Sequence, residues 1–135
     1  MADTVLNTTV FDGAKKLITH YNVVSDSTGG TTKIVTVANL AKNNGKSCKT
    51  VRLNKISFNV SVTAPVDAIR MLWDADTDVV FQTLNGEMEY DYSSFGGLKN
   101  TKASGYTGDV NIVLPACAAG DSGTVVCEWI KVYEV

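Results

Sequence analysis

Almost everything that marks a reactive centre is scarce in this chain. Its 135 residues hold one histidine, two prolines and no Cys-x-x-Cys pair. His20 is far in sequence from Cys48, Cys117 and Cys127, which leaves an ordinary structural zinc site without ligands. A Ser-His-Asp triad would have to use the same histidine, and no Gly-x-Ser-x-Gly turn is present. His20 reads instead as a surface or interface imidazole. A cationic surplus is missing too: 12 Lys and Arg stand against 14 Asp and Glu, a formal charge of -2. That balance provides no electrostatic footprint for nucleic acid. No apolar run approaches the ~20 residues of a membrane span, and the first residues lack the basic and apolar regions of a signal peptide. We therefore expect a non-enzymatic protein without cofactor, metal, nucleic-acid or membrane partner, folding in the compartment where it is made.

Three cysteines are an odd number. Cys117 and Cys127 flank a glycine-rich turn, so a bridge across a hairpin is one reading; three reduced thiols is the reading preferred.

What the chain has is β-branched residues in alternation. Ile56, Phe58, Val60 and Val62 alternate with Ser57, Asn59 and Ser61, the period of a strand with one buried face. The stretch 55–84 reads as three consecutive antiparallel strands, a meander, carrying Phe58, Met71, Trp73 and Phe81 as seeds of a core. Upstream, 5–11 forms a first strand, and 15–24 a second with Leu17, Thr19, Tyr21 and Val23 on one face. Segment 32–38 follows as a strand, and 39–49 as an exposed lysine-bearing loop. Gly45-Lys46-Ser47 lacks both the leading glycine and the following helix of a phosphate-binding loop. Asn85-Gly86 predicts a tight turn into Glu87–Tyr92, where Met88, Tyr90 and Tyr92 alternate with Glu87, Glu89 and Asp91. Residues 93–107 form a long glycine-rich loop, 110–114 a buried strand, and 124–135 a last strand apolar on both faces. About nine strands and no helix predict an all-β domain, residues 1–135, built as a two-sheet antiparallel sandwich with a jelly roll favoured. Trp73, Phe58, Ile112 and Ile130 are the expected core.

Two constellations invite chemistry. Asp74, Asp76 and Asp78 have the spacing of a calcium loop, but Val79 and Asn85 stand where an EF-hand needs Gly and Glu. A solvated turn and an irregular calcium site both remain open. The acids Glu87, Glu89 and Asp91 share one strand face, whereas glycoside hydrolysis needs two carboxylates across a cleft. Around the long loop gather Tyr90, Tyr92, Phe95, Leu98 and Tyr106, the candidate partner-contact residues. Such a group stacks against sugars or anchors a protein interface.

At Leu72-Trp73-Asp74-Ala75, Phe95-Gly96-Gly97-Leu98, Gly105-Tyr106-Thr107-Gly108-Asp109 and Gly120-Asp121, the chain resembles small virion proteins of tailed bacteriophages, among them jelly-roll capsid decoration, or cement, proteins. The resemblance spans roughly residues 55–135 and rests on turn and packing signals. It implies a homo-oligomer, dimer or trimer, made in the bacterial cytoplasm. Such a protein binds the major capsid protein on the virion exterior and stabilises the lattice. It implies no catalytic residues. The N-terminal segment 1–11 joins the long loop as a candidate contact. The alternatives are a carbohydrate-binding or adhesion module, and a tail or neck component.

Overall fold

In the computed structural model, residues 4–64, 68–116 and 118–133 are described. They form nine strands: β1 (Thr4–Asp12), β2 (Lys16–Val24), β3 (Gly30–Val35), β4 (Cys48–Ser61), β5 (Ile69–Trp73), β6 (Val79–Leu84), β7 (Gly86–Asp91), β8 (Val110–Leu114) and β9 (Ser122–Tyr133). No α-helix occurs among the described residues; two single turns of 3-10 helix follow β3 and β7. The strands make two antiparallel sheets, of order β1-β2-β9-β4-β7 and β3-β8-β5-β6, packed as the expected sandwich. The pairs nest inside one another. β5 pairs β6, β4 pairs β7, β3 pairs β8 and β2 pairs β9, successive pairs falling in alternate sheets.

Alternation decides which side chains fill the interior. In β2 the buried positions are Leu17, Thr19, Tyr21 and Val23, and in β4 they include Ile56, Phe58 and Val60. The two sheets meet at the tryptophans. Trp73 of β5 stacks on Phe81 at 3.9 Å between ring centroids and meets Trp129 of β9 edge-on at 6.5 Å. The Trp129 indole N–H donates to Thr19 Oγ1 at 3.0 Å, so burial leaves this donor satisfied.

Three expectations are corrected. The stretch 55–84 is not a meander, because β4 lies in one sheet and β5 and β6 in the other. Asn85-Gly86 does not close a hairpin either. β6 and β7 belong to different sheets, and Gly86, at φ +80, redirects the chain from one to the other. Ile130 is only half-buried, on the outer face of β9, while Trp129 beside it is fully buried. With apolar residues on both faces, the period of β9 could not say which faced inward. β9 does lie centrally, between β2 and β4, as its two apolar faces require.

Candidate interaction surfaces

The five-stranded sheet ends in β7 on one side and β1 on the other, and the candidate contact residues belong to these two rims. Met88 and Tyr90 of β7 stand directly opposite Phe58 and Ile56, so they share the inward face. β7 is the last strand of its sheet, and they are 49% and 37% exposed. Tyr90 packs against Phe58 at 6.1 Å and stacks with Tyr92 at 6.0 Å, and Tyr92 meets Phe95 at 5.8 Å. The Tyr92 hydroxyl donates to Gln82 Oε1 of β6 at 2.8 Å, which ties the two sheets together at this rim. Burial pushes the Tyr92 phenol above its ordinary range.

Only three of the five candidates form one group. Leu98 pairs backbone to backbone with Leu53, at 3.0 and 2.8 Å, and leans on the core. It braces the loop and presents little surface. Tyr106 belongs to another place in the fold. Its neighbours Gly105 and Thr107 lie against the turn between β5 and β6, where Thr107 Oγ1 donates to Asp74. The grouping by composition had joined residues that the topology separates.

Two aspartates of that turn, Asp74 and Asp78, are engaged in side-chain hydrogen bonds. The Asn111 side-chain amide donates to Asp74 Oδ1 at 2.9 Å and to Asp78 Oδ2 at 3.0 Å. Thr107 Oγ1 reaches Asp74 Oδ2 at 2.6 Å, and Asp78 Oδ1 accepts from the Ala75 amide at 3.1 Å. The Thr107 hydroxyl is the main reason that the Asp74 carboxyl is held below its usual range. Among the described residues no three His, Cys, Asp or Glu side chains are grouped to hold a metal ion. Gly108 adds a close approach to the same loop: at φ +87, a Cβ there would stand 1.9 Å from the Lys49 carbonyl oxygen. Cys48 and Cys127 are free, buried thiols, and burial raises the pKa of both; Cys117 lies outside the described residues.

At the opposite rim, among the described residues, β1 pairs with β2 alone and its other edge has no strand beside it. From Thr4 to Phe11 it carries no charge. Val5, Leu6, Val10 and Phe11 are 41%, 52%, 60% and 50% exposed. A register shift between Thr9 and Phe11 puts Val10 in a bulge, so apolar groups project on both sides. Beneath the inward face lie two clefts of about 170 and 360 Å³, the first floored by Tyr21 and Leu114, the second by Leu17 and Leu40. β1 therefore lies over unfilled space, held by its ladder and by Asn7 Nδ2 donating to the Lys33 carbonyl at 3.3 Å.

The C-terminal end of β1 is fixed differently, by a group that sequence reasoning missed. The Lys131 side chain is fully buried, and its ammonium bonds Asp12 Oδ1, the Gly13 carbonyl at 2.6 Å and the Ala41 carbonyl at 3.4 Å. Asp12 Oδ2 accepts from the Ala41 amide at 2.9 Å. One lysine from β9 thus pins the root of β1 and the loop before β4. A lysine in an alternating strand reads as a solvent-facing residue. The available signal was that Lys131 shares its face with Val125, Cys127 and Trp129.

The outward face of this sheet runs from apolar to charged. Leu6, Phe11, Ile18, Val24, Val126 and Ile130 occupy the β1-β2-β9 side, with His20 opposite both Thr8 and Val126. Glu87, Glu89 and Asp91 line β7, opposite Asn59, Ser57 and Lys55. Beyond the end of β7, Arg52, Lys99 and Lys102 surround a cleft of about 260 Å³ that Thr50, Asn100 and Val132 also line. No protein-family model, curated protein or solved structure matches the chain.

Proposed function

We propose that the chain is a structural interaction protein, not an enzyme, and specifically a capsid decoration subunit on the exterior of a tailed-phage head. The observation that carries this reading is β1. A nine-residue edge strand with no charge before Asp12 and four large apolar side chains half in solvent is a template for pairing with another chain. Strand addition to a sheet edge of the major capsid protein satisfies its backbone groups and covers its side chains. The nested pairing of β2 with β9, β3 with β8, β4 with β7 and β5 with β6 supports the jelly roll that the resemblance implies. The mechanism is mass action. A protein that binds only the assembled shell stabilises it in proportion to the logarithm of its concentration over its dissociation constant, and many symmetric copies add avidity.

Removing residues 2–11 tests this directly. The truncated protein keeps Asp12 on Lys131 and should remain folded, yet no longer bind particles. Particles lacking the protein should release DNA at a lower temperature than complete ones. Depleted particles that match the heat stability of complete ones but fail to adsorb to cells would replace this reading with an adhesion module. Exposed Tyr90 and Phe95 would then be the sugar-stacking platform to mutate first.

A further inference from the structure

We infer that the outward face of the five-stranded sheet is a two-fold interface with a second copy of this chain. This deepens the assembly reading above, and rests on it only in taking the protein to act through protein contacts. Three observations meet on one face. Its β1-β2-β9 side carries the apolar stripe Leu6, Phe11, Val24 and Val126, exposed by 52%, 50%, 44% and 38%. At one end of its β4-β7 side lie Glu87 and Glu89. At the other end Arg52, Lys99 and Lys102 converge on a cleft that has no carboxylate among its described lining residues. Lys102 is exposed, at φ +54, a backbone conformation that non-glycine residues rarely adopt, with its amide donating to Asn100 Oδ1 at 2.8 Å.

Such a face is complementary to itself. Ser57, opposite Glu89, lies five positions along β4 from Arg52, roughly 15 Å at the rise of a strand. A two-fold axis lying in the face, across the strands and midway between them, brings the acidic end of each copy onto the basic end of the other. The same rotation keeps every strand at its own level across the sheet, so Val126 of each copy meets Ile130 of the other and Phe11 lies beside its own counterpart at the axis, while Leu6 and Val24 stand at the acidic end outside the overlap. The row on the axis, Phe11, Ile18, Glu128, Lys55 and Asp91, is neutralised within each copy. Glu128 pairs with Lys16 at 3.1 Å, and Lys55 stands opposite Asp91. Acid-on-base contact in both directions is what an isologous pair requires.

Charge exchange in the purified, full-length protein tests this without any particle. Sedimentation velocity should show a dimer at low salt that weakens as salt screens the charged contacts. Arg52→Glu and Glu89→Arg, each alone, should weaken dimerisation about tenfold or more, since each places like charges together at both contacts. Mixing the two variants should restore a heterodimer, because both contacts are then attractive again. Val126→Arg, in the apolar stripe, should give a monomer whose melting temperature matches that of the other variants. A wild-type protein that is monomeric at every salt concentration, a trimer, or a mixture that fails to recover would overturn the two-fold. None of those results bears on whether truncating β1 releases the protein from particles, so the two readings fail separately.

Discussion

The two rims of the five-stranded sheet solve the same problem in opposite ways. β7 is six residues long, carries Glu87, Glu89 and Asp91, and is tied to the second sheet through Tyr92 and Gln82. It has the marks of an edge built to stay unpaired: short, charged and braced. β1 is nine residues long and neutral to Phe11, and it covers clefts instead of core. Beyond its ladder with β2 and the Asn7 bond, its fixture among the described residues is at its root, where Lys131 holds Asp12. Protection is concentrated on the β7 rim and is withheld from the β1 rim, the one we propose as the contact.

The largest expected effect comes from breaking that fixture. Asp12→Ala leaves the Lys131 ammonium fully buried with only carbonyl partners, and removing one member of a buried pair costs about 3–5 kcal/mol. The denaturant midpoint should fall accordingly. The double change of Asp12→Ala with Lys131→Met should recover much of the loss, since the uncompensated charge is gone. If Asp12→Ala leaves the midpoint where it was, the root of β1 is not held by charge, and the two rims differ less in their anchoring. At the other rim, Tyr92→Phe deletes one hydrogen bond to Gln82 and should cost about 1 kcal/mol. A loss as large as that of Asp12→Ala would show β7 to be the more heavily anchored strand.

Between the rims, acid should act through carboxylates held low. The Asn54 amide, then Lys16, keeps the Glu128 carboxyl below its ordinary range, and the Thr107 hydroxyl does the same for Asp74. A carboxyl whose folded pKa lies below its unfolded value stabilises the fold above the unfolded value, about 4. That contribution disappears as pH falls through the folded pKa. Stability should therefore be flat near neutrality and decline below about pH 4. Thr107→Val should make the acid decline shallower, as read from denaturant midpoints between neutral pH and acid. An equal slope in the variant would show that Asp74 contributes nothing to it.

What could be read from the sequence was the face of each strand, wherever one face was polar. Leu17, Thr19, Tyr21 and Val23, and Ile56, Phe58 and Val60, are buried because alternation fixes register against the core. Which sheet a strand joins was not legible, because an Asn-Gly turn can close a hairpin or carry the chain across a sandwich. Gly86 does the second. Lys131 was hidden because a charge in a strand signals water until its partner is known, and Asp12 is far away in sequence. Of the contact candidates, Tyr90, Tyr92 and Phe95 came together because they are close in the chain. Tyr106 did not, because a long loop sends it to the β5–β6 turn. The basic cleft escaped notice since Arg52 lies on a strand and Lys99 and Lys102 on a loop that only folding brings beside it.

The smallest change in stability should have the sharpest consequence for binding. Thr9 is exposed near the middle of β1 and faces inward, opposite Thr19, over the cleft that Lys33 also lines. Thr9→Glu gives this rim the device that β7 already has, a carboxylate on the edge strand. It removes no buried group, so its effect on the denaturant midpoint should stay within about 0.5 kcal/mol, as for other surface substitutions. A strand that adds to β1 must pass beside position 9, where it would have to desolvate the new charge, and binding to particles should drop sharply. The outward face is untouched, so association between copies should remain as in the wild type. Loss of particle binding with self-association retained would place the capsid contact at the edge and the copy contact on the face. Undiminished particle binding by Thr9→Glu, with the fold intact, would show that β1 is not the contact, and the open rim would need another explanation.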